Sequence, residues 1–431
     1  MSKKITVAIA GLGNRGKDAY ATKQKLFPDM MEIVAIADID PSKVEEVAKE
    51  YHIKPECCFI SAEEMMEQEQ LADALFLCTQ DRQHVRHAIP ALHKGYDILL
   101  EKPVSPDLEE CREIIKVAEE CKRKVVVCHV LRYTPYYMKL KEILDSKVIG
   151  EIVSVQASES VGYYHQAHSF VRGNWRNSEE TSPMILQKCC HDMDILLWLT
   201  GKGCKSISSY GSLNYFKKEN APEGATLRCL EGCKVKDCCP YDAEKIYITE
   251  KPFGVARGNT RWPNNVLDLH PSVETITEAL KKGPYGRCVF HCDNNVVDHQ
   301  VINLLMEDNT TVSFTMCAFT KDNVRDIKIM GTMGEIVGNM ESNLIRIMPF
   351  GKETKTIDVR NNVNPLSGHG GGDEGIIKEF LELLIENREQ NANGSITTLE
   401  KSVESHYIAL GAERSRLEGG RPVTVEEMRG V

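Results

Sequence analysis

At 431 residues, with 42% apolar and 27% charged side chains, the chain has room for two domains of the usual ~150 residues. Its net charge of −10 and lack of any dense basic stretch exclude nucleic acid as an expected partner. No apolar run approaches the ~20 residues that span a bilayer, so no membrane partner is expected either.

The start, MSKKITVAIAG, carries two lysines and then a short strand-like run that breaks at Gly11. That is not the form of a secretory signal, and a cytoplasmic location is expected. Over residues 1–130, ITVAIAG, EIVAIAD, ADALFLCT, YDILLEKP and KVVVCHV are continuous apolar runs. Stretches of helical length, 41–51, 83–94 and 107–121, separate them. Unbroken apolar strands alternating with helices predict a parallel sheet covered on both faces, and the hand of the crossovers makes it doubly wound. Beyond about residue 150 the pattern alternates instead. EIVSVQASES sets Val153, Val155 and Ala157 on one side, and VVDHQVINLLMEDNTTVSFTMCAFT reads as a hairpin. The expected fold class is α/β: a parallel N-terminal domain over 1–130, then an α+β domain over 131–431 with an open, largely antiparallel sheet. Helices at 373–388 and 397–418 are expected to close it.

Gly11, Gly13 and Gly16 form Gly-x-Gly-x-x-Gly between a strand and a helix, the context that makes this motif a Rossmann dinucleotide site. The first glycine permits the tight turn, the second lets backbone approach a pyrophosphate, and the third lets helix and strand pack. Asp38 ends the second strand, where a carboxylate accepts hydrogen bonds from a ribose diol and repels a 2′-phosphate. The bland alternative, Asp38 as helix cap, suits Asp40 or Ser42 better. NAD is therefore the expected cofactor, with Lys43 softening the discrimination against NADP.

Glu101-Lys102-Pro103 closes the fifth strand. Together with GLGNRG, VAIAD, the Thr79…His84 segment and His191 in MILQKCCHDMDILLWLTG, it resembles the Gfo/Idh/MocA family of sugar and polyol dehydrogenases, over nearly the whole chain. The resemblance implies a Rossmann domain followed by an open-sheet substrate domain, and adds Asn14, Arg15, Thr79, His84 and Glu101 to the cofactor contacts. It implies that Lys102 and His191 are catalytic. A lysine at the C-terminal end of a parallel strand faces the ligand side of such a sheet and can steady a growing alkoxide. An isolated lysine there is usually only solvated, and an isolated histidine on an apolar helix is usually a core residue. The motif context is what favours chemistry at both. Imidazole, with a pKa of ~6.5, suits proton transfer. The family's Lys-Pro bond is often cis. Many relatives carry an aspartate four residues before this histidine, where this chain has Gln187 and then Lys188. Either Asp192 or Asp194 replaces it, or Lys102 and Lys188 share the proton. Lys188 is expected to lower the His191 pKa.

Candidate substrate contacts are Arg132, Tyr133, Tyr163, Tyr164, His165, Asn174, Trp175, Arg176, Gln187, Lys188 and His369. Each also has a reading as plain surface or packing. GHGGGD at 368–373 forms one wall of the site or a helix entry capped by Asp373. Cys229, Cys233, Cys238 and Cys239 lie in a cysteine-rich insertion at 228–243, but with spacings unlike those of structural zinc sites. They are read as reduced thiols, with metal as the alternative and no metal ligand assigned. The expected activity is NAD-linked oxidation or reduction of a secondary carbon in a sugar, glycoside or inositol, in a homo-oligomer. Two alternatives stay open: an NAD-dependent glycosidase that oxidises its sugar only transiently, and a non-catalytic sugar- or NAD-sensing protein.

Overall fold

Six short strands pair in parallel in the order β3-β2-β1-β4-β5-β6. They are β1 (Ile5–Ala10), β2 (Met31–Ala37), β3 (Cys58–Phe59), β4 (Ala74–Leu77), β5 (Asp97–Leu100) and β6 (Val125–Val127). The computed structural model describes residues 4–360, 368–391 and 394–430. Helices α1 (Pro41–Tyr51), α2 (Ala62–Glu67), α3 (His84–Lys94) and α4 (Leu108–Cys121) make the crossovers. Their ends follow local chemistry. Asp40 caps α1 by accepting the Ser42 N–H, and Asp107 caps α4 by accepting from Glu109 and Glu110. Gly95, at φ 97°, ends α3 in the left-handed region that favours glycine. Between β1 and β4 the strand order reverses, so the loops leaving them diverge and open a crevice at the carboxyl ends of the strands.

A second sheet of nine strands has the order β14-β13-β12-β11-β7-β10-β9-β8-β15. These are β7 (Ile152–Gly162), β8 (Cys204–Ser212), β9 (His299–Met306), β10 (Thr311–Thr320), β11 (Val324–Gly331), β12 (Gly334–Asn339), β13 (Leu344–Pro349), β14 (Lys355–Asp358) and β15 (Val423–Thr424). Every pair is antiparallel except β7 with β10. Val155, Val161, Phe314 and Ile327 face a core. Val153, expected with them, is 52% exposed at the start of its strand.

The second layer carries α5 (Pro135–Asp145), the short turns α6 (Tyr163–His165) and α7 (Met184–Gln187), and then α8 (Cys190–Thr200). It continues with α9 (Asn264–Leu267), α10 (Val273–Lys282), α11 (Gly372–Ile385), α12 (Leu399–Leu417) and α13 (Val425–Arg429). Residues 213–298, between β8 and β9, build a small separate core around Phe216, Tyr247, Ile276 and Val289, which Tyr164, Ala167 and Val171 complete. The two sheets are joined by chain from the far end. Ile376, Ile377 and Phe380 of α11 pack on Ile5, Val7 and Phe76 of the first sheet, with the Phe76 and Phe380 rings edge to face at 6.0 Å. Truncating Phe380 to alanine would cost about 3–5 kcal/mol. Among the described residues no helix is long and apolar enough to cross a membrane.

Candidate active site

The glycine loop is crowded behind and open in front. A Cβ on Gly11 (φ 94°) would fall 2.5 Å from the Cys78 carbonyl oxygen, and one on Gly16 would fall 1.9 Å from that of Gly11. A Cβ on Gly13 would meet nothing within 4 Å. The third position thus packs turn on strand, and the second leaves open space of the kind a pyrophosphate needs. Asn14 begins a π-helical turn, Asn14–Tyr20, rather than the α-helix the motif suggests. Asp38 Oδ2 accepts the Leu12 N–H at 2.5 Å and Oδ1 accepts that of Asp40 at 2.9 Å, so its carboxylate is fixed beside the loop with Lys43 3.9 Å away. These residues fit a dinucleotide: open space at Gly13 for phosphates and a held carboxylate at the end of β2 for a ribose.

Arg15 and Glu101 are bound to each other. Arg15 Nε donates to Glu101 at 2.7 Å, and its terminal nitrogen donates to the Tyr20 hydroxyl at 2.6 Å and to Asp373 at 2.7 Å. Tyr20 also donates to Glu101. Burial alone would push the Glu101 carboxyl up, but the charges of Arg15 and Lys102 outweigh it and hold the pKa below its ordinary value. Asp373 is likewise held far down by Arg15 and His369 against its burial. It does not cap α11: the N-cap is Gly371 (φ 96°), and Asp373 sits inside the first turn because Arg15 claims its carboxylate. His369, beside it at 3.1 Å, is half exposed. His84 bridges the loops after β4 and β5, with its ring nitrogens 2.7 Å from the Pro103 carbonyl oxygen and 3.0 Å from that of Thr79. Thr79 Oγ1 lies 3.1 Å from His87. The Lys102–Pro103 peptide is cis.

Lys102 Nζ donates to the backbone carbonyl of Gln187 at 2.9 Å. The sequence reads as one helix through this region, but the chain ends α7 at Gln187 and starts α8 at Cys190. The break releases the Gln187 carbonyl from the helical ladder, and the lysine takes it. The Gln187 amide oxygen accepts from Trp175 Nε1 at 2.7 Å, while its nitrogen donates to buried Asp81 at 3.2 Å and to Ser182 at 3.1 Å. Trp175 and Lys102 thus meet at Gln187, with His191 one turn further on and within reach of the Lys102 charge.

His191 lies in the first turn of α8, buried, with Nδ1 free of any hydrogen-bond partner. Burial, then the charges of Lys102 and nearby Arg325, hold its pKa well below the ordinary histidine value. Lys188, expected to do this, is drawn off by Glu159 at 3.0 Å. Neither Asp192 nor Asp194 serves His191. Asp194 is gripped by both donors of Arg132, each at 2.6 Å, and Asp192 pairs with Arg325 at 2.8 Å. Arg325 also ion-pairs with Glu159 at 2.9 Å. Burial pushes the Asp192 carboxyl up to about 6 against the pull of Arg325, with Glu159 adding to the rise. The ring of His129 meets that of His191 edge-on at 5.6 Å.

The remaining candidates separate. Arg132 is buried in its pairing with Asp194. Arg176 turns to Asp293 at 2.7 Å and to Glu180. Tyr163 and Tyr164 pack on one another, Tyr133 is buried, and His165 meets Asn323 at 3.1 Å. Asn174 donates to Gln80 at 3.0 Å, at the exit of β4. Cys229, Cys233, Cys239 and Cys288 line one small space with Arg172, while Cys238 is exposed. Among the described residues no three donors stand as a metal-holding group.

Six participants escaped sequence reasoning: Tyr20, Asp81, His129, Glu159, Ser182 and Arg325. Only Glu159 left a signal. It shares the inward parity of Val155 and Val161 on β7, so a charge on that face required a buried partner.

Two family models match the chain. One, described as "Oxidoreductase family, NAD-binding Rossmann fold", covers residues 5–129, and the other, "GFO/IDH/MocA C-terminal domain", covers 137–232. The putative oxidoreductase YteT of Bacillus subtilis is 24% identical over 396 residues, 87% of this chain and 88% of its own. An inositol 2-dehydrogenase of Corynebacterium glutamicum is 25% identical over 211 residues, 48% of this chain and 57% of its own. Among solved structures, an oxidoreductase from Agrobacterium radiobacter in complex with NAD+, L-tartaric acid and magnesium superposes with a TM-score of 0.68. It is 14% identical, and the match covers 99% of this chain and 100% of that one.

Proposed function

The chain belongs to the GFO/IDH/MocA family of oxidoreductases and carries that family's NAD-binding Rossmann domain, and from that premise we propose that it is an NAD-dependent dehydrogenase acting on a secondary hydroxyl or keto carbon of a polyol, sugar or glycoside. The observation that carries this reading is the Lys102 ammonium on the Gln187 carbonyl, four residues before a buried His191 whose pKa is held down, in a strand-end segment whose Glu101 binds Arg15 of the glycine loop. NAD, when bound, supplies the site that accepts or returns the hydride.

The chain's own groups supply the rest. An ammonium has three donors, and Gln187 takes one, leaving donors for a substrate oxygen. A positive charge beside that oxygen favours alkoxide character as the carbon is oxidised. His191, kept neutral by burial and by the cations around it, accepts the hydroxyl proton and returns it in the reverse direction. Trp175, Gln187, Ser182 and Asp81 form a connected polar wall next to both groups and fix the substrate's orientation. The likeness to an inositol 2-dehydrogenase supports a cyclic polyol as first choice.

Incubating the protein with NAD and a panel of inositols, hexoses and nitrophenyl glycosides tests this. Growth of NADH absorbance with one or more polyols supports the dehydrogenase. Nitrophenol release without net NADH would instead identify the redox-neutral glycosidase. Tight NAD binding with neither signal would overturn an enzymatic reading.

A further inference from the structure

His406 belongs to none of the motifs, yet its ring reaches the lysine segment. It sits on α12, fully buried, and its Nε2 accepts the backbone N–H of Val104 at 2.8 Å. An acceptor Nε2 places the ring proton on Nδ1, which donates to the Ser402 carbonyl at 2.8 Å. One turn back on the same helix, the Ser402 hydroxyl pairs with His129 Nε2 at 2.8 Å. His129 in turn presents its ring to His191, edge to face. Val104, Ser402, His406 and His129 are all buried to about the full extent of their side chains. A single polar column thus runs from the segment that carries Lys102 to the flank of the proton-accepting histidine.

We propose that His406 is a positioning residue for the reaction: from α12 it fixes the Lys102-Pro103-Val104 segment through the Val104 N–H, and through Ser402 and His129 it sets that segment's place relative to His191. The inference rests on the reading of Lys102 and His191 given above.

The residue type suits the task. The Val104 N–H is sealed from water, so it requires an acceptor, and the Ser402 carbonyl requires a donor. A neutral imidazole supplies one of each across its ring. Burial holds the His406 pKa down to about 3 and that of His129 down to about 4, so neither ring gains a proton where the protein works. The acceptor face toward Val104 does not lapse. On the far side the geometry leaves little slack: Lys102 Nζ is already committed to one carbonyl on the broken helix. A small shift of its segment moves the ammonium relative to His191, and a misplacement of about 1 Å in such a site costs about a hundredfold in rate.

Three readouts test it, two of them independent of turnover. Amide exchange of the Val104 N–H is measured in wild type, His406→Ala and His406→Gln, a crystal structure of His406→Ala gives the Lys102–Gln187 contact, and NAD-linked turnover is followed with the best polyol of the panel. In His406→Ala the expected result is exchange faster by about tenfold or more, loss of the 2.9 Å contact, and a kcat lower by about ten- to a hundredfold with KM for NAD within about twofold. His406→Gln, whose side chain reaches Val104 with an acceptor, restores all three. Unchanged exchange in His406→Ala, or a Lys102 still seated on Gln187, would overturn the proposal, as would wild-type kcat with the bond open. If His406→Ala does not fold, the comparison of His406→Gln with the shorter His406→Asn decides by the same criteria. Lys102→Met is the separate control: full turnover in that variant would remove the lysine reading while leaving the exchange result intact.

Discussion

Lys102 Nζ stands 2.9 Å from the carbonyl oxygen of Gln187, a carbonyl that an unbroken helix would have given to the N–H of His191. The break between α7 and α8 therefore does two things at once. It seats the lysine, and it starts a new helix whose first turn presents His191.

Replacing Lys102 with methionine keeps most of the unbranched stem and removes the charge and donors. The kcat should fall by about a hundred- to a thousandfold, the scale for losing one preorganised donor at a developing oxyanion. NAD affinity, measured by calorimetry, should stay within about threefold, because the dinucleotide fits the glycine loop and Asp38 rather than the lysine.

His191 gives a pH prediction with a definite sign. In the proposed mechanism its neutral form is the base, and because its pKa is lowered that form persists to lower pH than in an ordinary histidine. The acid limb of kcat/KM, which reports the free enzyme, should lie below about pH 6.5. His191→Asn should lose that limb along with most of the rate. A limb above pH 7 that survives in His191→Asn would assign the base elsewhere.

Most of the fold could be read from the chain because its signals are local. Continuous apolar runs gave the parallel strands, alternation gave the second sheet, and Asp40 marked its helix start. The candidate site was legible only where a motif put chemistry in one short segment, as at Gly11 or Lys102. Where many relatives of the family carry an aspartate, Gln187 meets Asp81, from the loop after β4, which no sequence spacing links to Gln187. Arg15 and Asp373 are 358 residues apart and meet only because α11 returns to the first sheet. The helix break at Lys188 was hidden because the group that takes the freed carbonyl, the Lys102 ammonium, arrives from another element.

Asp81 makes its own prediction. Gln187→Glu would set a second carboxylate oxygen about where an amide nitrogen now meets Asp81 at 3.2 Å. Like charges so close in a buried site disfavour ionisation of both. The variant should be less stable by about 1–3 kcal/mol at pH 7, recovering as pH falls toward 5 and one carboxyl takes a proton. Urea unfolding at the two pH values measures this. Equal destabilisation at both would contradict it.

The Arg15–Asp373 pair carries a stability prediction. Asp373 is buried and its pKa lies far below the unfolded value, so its stabilisation is fully present above about pH 4. It is lost progressively as pH falls from there toward the folded value. Asp373→Asn leaves the Arg15 charge short of a partner and should cost about 3–5 kcal/mol at pH 7. The difference from wild type should shrink below pH 4. Thermal unfolding across pH 2–7 would show it, and a difference constant over that range would argue against the ion pair.

Cofactor choice follows from Asp38. Its fixed carboxylate should repel a 2′-phosphate by about 3 kcal/mol, so kcat/KM with NAD should exceed that with NADP by about a hundredfold. Asp38→Ser should narrow the ratio by at least about tenfold. An NADP preference in the wild type would remove the argument.

The most direct measurement follows the hydrogen itself. A polyol deuterated at its secondary carbon is incubated with NAD, and the label is sought in the reduced nicotinamide by mass spectrometry, in wild type and in Lys102→Met. Deuterium recovered on the nicotinamide in wild type, and slowed by about a hundredfold or more in the variant, is the predicted result. Label transfer at the same rate in both proteins, or none in wild type with any polyol of the panel, would contradict the assignment of this site.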